Sequence, residues 1–305
     1  MQRRRHGLSL AEVVVVVALT GIVGAAAAVT INRQQRFYRG ASELHYARES
    51  IRDAMEVVST DIRAMSVSDT ARLRADSAIE FFAGIGSSIV CQNTGSQIGL
   101  PARHSEANSL SAFLVEPDTG DIATFYTGSA EGGVDWEPHR ISGFSSRSLG
   151  NSCPTSSGFS AQSDLDAGMT GFVVTLVDPL SDRIKPGAPV RFLRRARYSL
   201  YRTSDGHWYL GYRRCNAVGA STCGPVQPLS GPYRAYSADA RMTGLDFEYF
   251  DAHGQALGPS DSPLLLARVD ITARSEGSQR IATSGQAGGT SESGTISVAV
   301  RNRAR

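Results

Sequence analysis

Lysine is all but missing from this chain of 305 residues: of its 31 lysines and arginines, only Lys185 is a lysine. That bias reads as genome composition rather than function. Net charge is also small, at +2, which excludes a global field pulling the chain toward nucleic acid or an anionic surface. Sequence motifs for catalysis are missing too. No GxSxG, HExxH, Walker or EF-hand loop occurs. Gly84-Ile85-Gly86 lacks the third glycine of a dinucleotide loop and reads as a turn or strand end. The histidines have no metal-ligand spacing. Asp118 and Asp121 could touch calcium, but the turn Pro117-Asp118-Thr119-Gly120 explains them without a metal. The expectation is a non-enzymatic chain with no cofactor and no metal.

Cysteine is scarce, at four residues, and none makes a CxxC pair. Cys215 and Cys223 bracket seven residues rich in Gly, Ala, Ser and Thr, and are expected to bond to each other. Cys91 with Cys153 is the remaining pairing. An even count of this kind suits an oxidising compartment, with free buried thiols as the alternative.

The N-terminus carries most of the information. Residues 2–6 form a short basic head, Gly7 follows, and Leu8 to Ile31 is nearly all apolar. Those 24 residues make about 36 Å of helix, enough for a hydrocarbon core of about 30 Å. The head should remain cytoplasmic and residue 32 onward should lie outside. Glu12 breaks the apolar run, and an acid within a membrane segment is a functional candidate by default. Three readings are open. One is a secretory signal cut near Ala25–Ala28, although its apolar core is longer than usual. Another is a plain anchor in which Ser9-Leu10-Ala11-Glu12 forms a capping box.

The third rests on the stretch from Gly7 to Glu12 ahead of the apolar run. It resembles the class III signal of type IV prepilins and pseudopilins. The resemblance implies cleavage after Gly7 by a prepilin peptidase, N-methylation of Leu8 as the mature terminus, and Glu12 as the signature acid. Leu8 departs from the usual phenylalanine and Ala11 from a common isoleucine. In a bundle of such helices, Glu12 can meet the Leu8 amine of a neighbour. Leaving either charge unpaired in that core is strongly unfavourable, so the pair specifies axial register.

Beyond the membrane segment, apolar or small residues recur at Phe37, Ala41, Leu44, Ile51, Met55, Val58, Ile62 and Met65. This predicts one helix from Leu8 to about Ser66, roughly 90 Å long, with its outer half laid on a domain. An independent coiled coil is the alternative. After residue 70 the period becomes two. Ser109–Glu116 and Asp121–Thr127 read as a hairpin, and 128–168 as a Gly/Ser-rich loop or insertion. Gly171–Asp178, Val190–Arg202 and His207–Arg214 read as strands. So do the stretches holding Leu245-Phe247-Tyr249, Ala267 to Ala273, and Ile296-Val298-Val300, with a Ser/Gly-rich loop at 283–294. Arg191, Arg194, Arg195 and Arg197 form a basic cluster, best explained as a charged outer strand face. No nucleic-acid partner is expected.

The layout is α+β: a leader (1–7), a transmembrane half-helix (8–31), an amphipathic half-helix (32–66) and a domain with a mostly antiparallel β-sheet (67–305). Leu245 to Asp251 with Gly254, Tyr198 to Tyr201, and Ser297 to Asn302 resemble segments of PilW-type minor pilins and J-type pseudopilins. That resemblance implies a single-pass inner-membrane subunit with a periplasmic domain, later built into a filament. Its implied partners are the inner-membrane assembly platform, other minor pilins and the major pilin. The alternatives are a type II secretion pseudopilin and a membrane-anchored periplasmic binding domain.

Overall fold

A computed structural model describes residues 9–65, 73–104, 110–128, 136–216, 222–277 and 291–300. Helix α1 (Leu10–Ala64) is continuous over 55 residues, about 82 Å. No proline interrupts it, and it stops where Met65 turns extended. Its buried face is Ile51, Ala54, Met55, Val58 and Ile62, spaced by three and four. The predicted stripe therefore begins later than expected: Phe37 is exposed and Leu44 only half covered. The first bonds between the domain and α1 are at Arg48, which pairs with Glu292, and Ser50, which bonds with Gly231, so Phe37 lies well before the surface that covers the stripe.

Fourteen strands follow among the described residues: β1 (Leu73–Ala75), β2 (Ala78–Ile89), β3 (Gln92–Asn93), β4 (Gln97–Leu100), β5 (Ala112–Phe113), β6 (Ile122–Tyr126) and β7 (Trp136–Ser148) come first. Then come β8 (Thr170–Leu176), β9 (Pro189–Arg202), β10 (Trp208–Arg214), β11 (Gln227–Tyr233), β12 (Leu245–Phe250), β13 (Arg268–Arg274) and β14 (Ser293–Ala299). Short helices α2 (Leu149–Ser152) and α3 (Gln162–Asp166) lie between β7 and β8. All pairings are antiparallel, and the strands divide between two sheets rather than one. The smaller has the order β12-β13-β14. The larger has a main path β1-β2-β9-β6-β7-β8-β4-β3, with β5, β10 and β11 branching off.

Alternation explains the smaller sheet. Phe247, Ile271 and Ile296 line up across its three strands, as do Tyr249, Val269 and Val298. This row packs against the buried face of α1, and Ile79, Phe81, Tyr198 and Leu210 of the larger sheet join the same core. Each such side chain contributes about 1.5–3 kcal/mol when fully buried. Asp61 of α1 adds a polar tie, accepting a hydrogen bond from the buried Tyr198 hydroxyl. Burial raises the Asp61 carboxyl above its ordinary range, with the Tyr198 bond opposing. A second core lies beyond the end of α1, around Leu100, Phe125, Ile141, Val174 and Phe192.

Three expectations fail here. The hairpin at 109–127 does not form: β5 pairs with β2, and β6 lies between β7 and β9. Four of the five β6 residues are buried, so both faces of the strand are covered, as suits a strand inside the sheet between β7 and β9 rather than an outlying hairpin. Residues 136–168, within the supposed loop, hold β7, α2 and α3. Only His139 and Ile141 of β7 are buried, so its alternation is faint in sequence, and pairing with β6 and β8 supplies the order instead. Gly84-Ile85-Gly86 is neither turn nor strand end but a bulge inside β2. A side chain on Gly86 would meet Phe113 at 2.6 Å, so glycine is what admits β5. Of the Ser/Gly-rich loop expected at 283–294, residues 283–290 lie outside the described residues, and Ser293 and Gly294 already belong to β14.

Both disulfides are present, Cys91–Cys153 and Cys215–Cys223. The first ties the chain entering β3 to α2, inside a small cluster with Ala102 and Leu149. On the chain-entropy view, a link across 62 residues restricts the unfolded chain by about 4 kcal/mol, and one across 8 by about 2.5. Replacing Cys91 and Cys153 by serine should therefore lower urea stability more than replacing Cys215 and Cys223. Equal losses would show that loop length is not what governs the effect.

Candidate functional site

The site the sequence singles out is the head of α1. Ser9 has extended backbone angles and caps the helix: its hydroxyl accepts from the Glu12 amide at 3.3 Å, and its amide donates to Glu12 Oε2 at 2.9 Å. The capping box is thus formed within one chain, and Glu12 is held at the helix mouth by it. Behind it runs an apolar surface with no protein partner. Leu10 is 86% exposed, and Val13 to Val17, Leu19, Ile22 and Val23 are all exposed. Mean hydropathy reaches 2.5 over 18 residues, none of them buried. The two hydroxyls in this stretch are satisfied internally, Thr20 by Val16 O at 2.7 Å and Thr30 by Ala26 O at 2.9 Å. A helix whose polar groups are all bonded within itself is what a lipid environment requires.

Residues 2–28 match the family model described as the prokaryotic N-terminal methylation motif. The head of the chain is therefore a prepilin-type signal. It implies processing by a peptidase and a membrane anchor through one helix, and supports a type IV pilin-like or pseudopilin protein. A comparison with curated proteins finds no match to this chain. Gly7 and Leu8, the cleavage and methylation residues of the signal reading, lie outside the described residues, whereas Glu12 lies inside them.

The basic cluster on β9 differs from expectation. Its first half pairs with β6 up to Leu193, and its second half pairs with β10 from Ala196. Arg194 and Arg195 sit at the fork between them. Arg195 and Arg197 both bond to Glu80 of β2, whose carboxylate is 1% exposed, and Arg197 Nε lies 2.7 Å from Oε2. Arg194 makes a two-pronged contact with Asp121, at 3.0 Å and 2.7 Å. Arg214 bonds to Asp118 at 2.8 Å and Asp121 at 3.1 Å. Arg191 stacks over Trp136, 4.4 Å from the ring centre. So Arg194 and Arg195 are enclosed ion-pair partners, not an outward charged face. The reason is topological: a forked sheet opens a notch that only long, multiply bonding side chains fill.

Asp118 and Asp121, the two acids weighed for calcium, are both bonded to arginines of this cluster. Glu80, Cys215 and Cys223 lie close together, but both sulfurs belong to the disulfide and offer no thiolate for a metal. The disulfide roofs the buried pair, with Cys215 Sγ 4.0 Å from Glu80 Oε2. Sequence reasoning passed over Glu80. The available signal was an acid inside the apolar run Ile79-Glu80-Phe81-Phe82.

Burial acts to raise the Glu80 pKa and is the largest single influence. The combined bonds and charges of Arg197 and Arg195 outweigh it, and hold the carboxyl below its ordinary range. A depressed carboxyl stabilises the fold above the unfolded value of about 4.3, and that stability is lost as pH falls through the folded value. Glu80→Gln leaves Arg195 buried without a counter-charge, and should cost about 3–5 kcal/mol near neutral pH. The variant should also lose less stability on acidification than the parent. Urea unfolding as a function of pH measures both, and parallel pH curves would refute the assignment.

Proposed function

We propose that this chain is a minor pilin of a type IV pilus, of the PilW kind: a non-enzymatic subunit that helps to start or cap the filament. The observation that carries the reading is the coincidence of the methylation motif at 2–28 with one helix that is bare over its first half and packed on an α+β domain over its second. A bare apolar half-helix can be covered first by lipid and then by the same segment of neighbouring subunits. An exchange of that kind needs no new fold. The peptidase would cut after Gly7, and the freed amine of Leu8 would be methylated. The domain would face the periplasm and join other minor pilins and the major pilin through the assembly platform. A type II secretion pseudopilin is the same reading with a different filament.

The capping box favours a second reading, a membrane-anchored periplasmic domain that never polymerises. There, Glu12 does no more than close its own helix. After cleavage, however, the Leu8 amine lies one residue from Ser9. A carboxylate that already turns back toward the helix mouth can meet that amine or a neighbour's.

Intact-mass spectrometry of the mature chain should give a start at N-methylated Leu8. A start near Val29, or an uncut Met1, refutes the pilin reading. Glu12→Gln separates the two readings further, because glutamine also serves in a capping box. As a mere cap, the change should be nearly silent. As a register acid, it should remove about 3–5 kcal/mol from subunit pairing in an apolar bundle. Glu12→Gln chains would then be cleaved and membrane-resident but missing from sheared filaments.

A further inference from the structure

We propose that Arg33, Arg36 and Arg39, with Phe37 and Tyr38, form a collar on α1 that binds anionic phospholipid headgroups at the membrane surface facing the domain. The proposal rests on the reading of residues 10–31 as membrane-spanning, and goes beyond it by naming the lipid and the residues that select it.

The charge pattern comes first. From residue 32 to residue 42 the helix carries three arginines and no acid, the next acid being Glu43. From 43 to 64 the balance reverses, with five acids against three arginines. The basic band is thus confined to the turns directly after the apolar run. At 100° per residue the three arginines fan over about 120° of the helix, a single face.

Position comes second. All five collar residues are exposed, and among the described residues the first ion pair from α1 to the domain is Arg48 with Glu292. Ile31 and Arg48 are seventeen helical steps apart, about 25 Å along the axis. A headgroup layer is about 5–8 Å thick on each side, so it takes in residues 32 to about 36 and leaves the domain clear of the bilayer. Helical side chains lean toward the N-terminus, so Arg36 and Arg39 reach back toward the headgroups. Their apolar stems can lie along the helix while the guanidinium groups meet phosphate.

Aromatic residues supply the third observation. Phe37 and Tyr38 are 57% and 69% exposed and meet edge to face with ring centres 6.1 Å apart. Exposed aromatic rings next to an apolar span match the interfacial belts of membrane helices. The leader carries Arg3, Arg4 and Arg5, so three arginines flank each end of the span before cleavage. Removal of residues 1–7 would leave the collar as the arginine-bearing flank of the span, with the Leu8 amine at the other end facing Glu12.

The test reconstitutes the full chain into bilayers of phosphatidylcholine alone or mixed with phosphatidylglycerol. Vesicle flotation reports membrane residence, and native mass spectrometry reports the lipids that leave the bilayer with the protein. The variants replace all three arginines by glutamine or all three by lysine. Both substitutions keep helix propensity and touch no domain contact. Each cation near an anionic surface favours the lipid about fivefold, so three give at most on the order of 100-fold. The parent and the lysine variant should retain phosphatidylglycerol over phosphatidylcholine, and the glutamine variant should lose at least tenfold of that preference while floating equally well. Equal preference in all three chains overturns the collar and leaves the spanning helix standing. Failure of every chain to float overturns the membrane reading itself, and the collar with it.

Discussion

Helix α1 is unbroken from Leu10 to Ala64, yet its two halves meet different surroundings. The first half offers valine, leucine and isoleucine on all sides, while the second buries one stripe and leaves the rest polar. An apolar helix surface of that length is stable only where water is excluded, either in lipid or among like helices. The domain must therefore attach late on the helix, and it does, starting at Arg48 and Ser50. The smaller sheet and part of the larger one are arranged around the short stripe from Ile51 to Ile62, while the second core lies beyond the end of α1.

That stripe is covered by two sheets rather than one. The smaller sheet brings a dense row of Phe247, Tyr249, Val269 and Ile271, and the larger one contributes Phe81, Tyr198 and Leu210. The larger sheet then continues past the end of α1 by forking at β9. A fork leaves side chains without a flat neighbour. Here the notch is closed by Glu80 with Arg195 and Arg197, and by Asp121 with Arg194 and Arg214. Ion pairs this enclosed add little net stability over apolar packing, but each partner makes loss of the other severe. They act as a lock on strand arrangement, and the Cys215–Cys223 bridge holds the lid of the lock.

The resulting molecule keeps its assembly head and its domain apart. Glu12 lies about 60 Å along the helix from the stripe at Ile51, at 1.5 Å per residue. Changes at the head need not disturb the domain. A change in the fork cannot reach the head except by unfolding what α1 rests on.

Much of this was legible from local patterns. The basic head, glycine, acid and apolar run are contiguous, so their chemistry does not depend on distant contacts. The α1 periodicity, the apolar run of β8 and the alternation in β9 and β12 to β14 were readable for the same reason, since each pattern is written in its own stretch of sequence. The start of the buried stripe at Ile51, the central place of β6, the existence of β7 and the pairing of Glu80 with two arginines of β9 were decided only by tertiary structure. β6 is apolar on both faces and β7 on almost none, so neither carries a period that names its neighbours. Glu80 and Arg197 are 117 residues apart, and only the register of β2 on β9 sets them opposite one another. Sequence spacing reports what one element presents, whereas partner choice between strands is settled by which burial leaves no polar group unpaired.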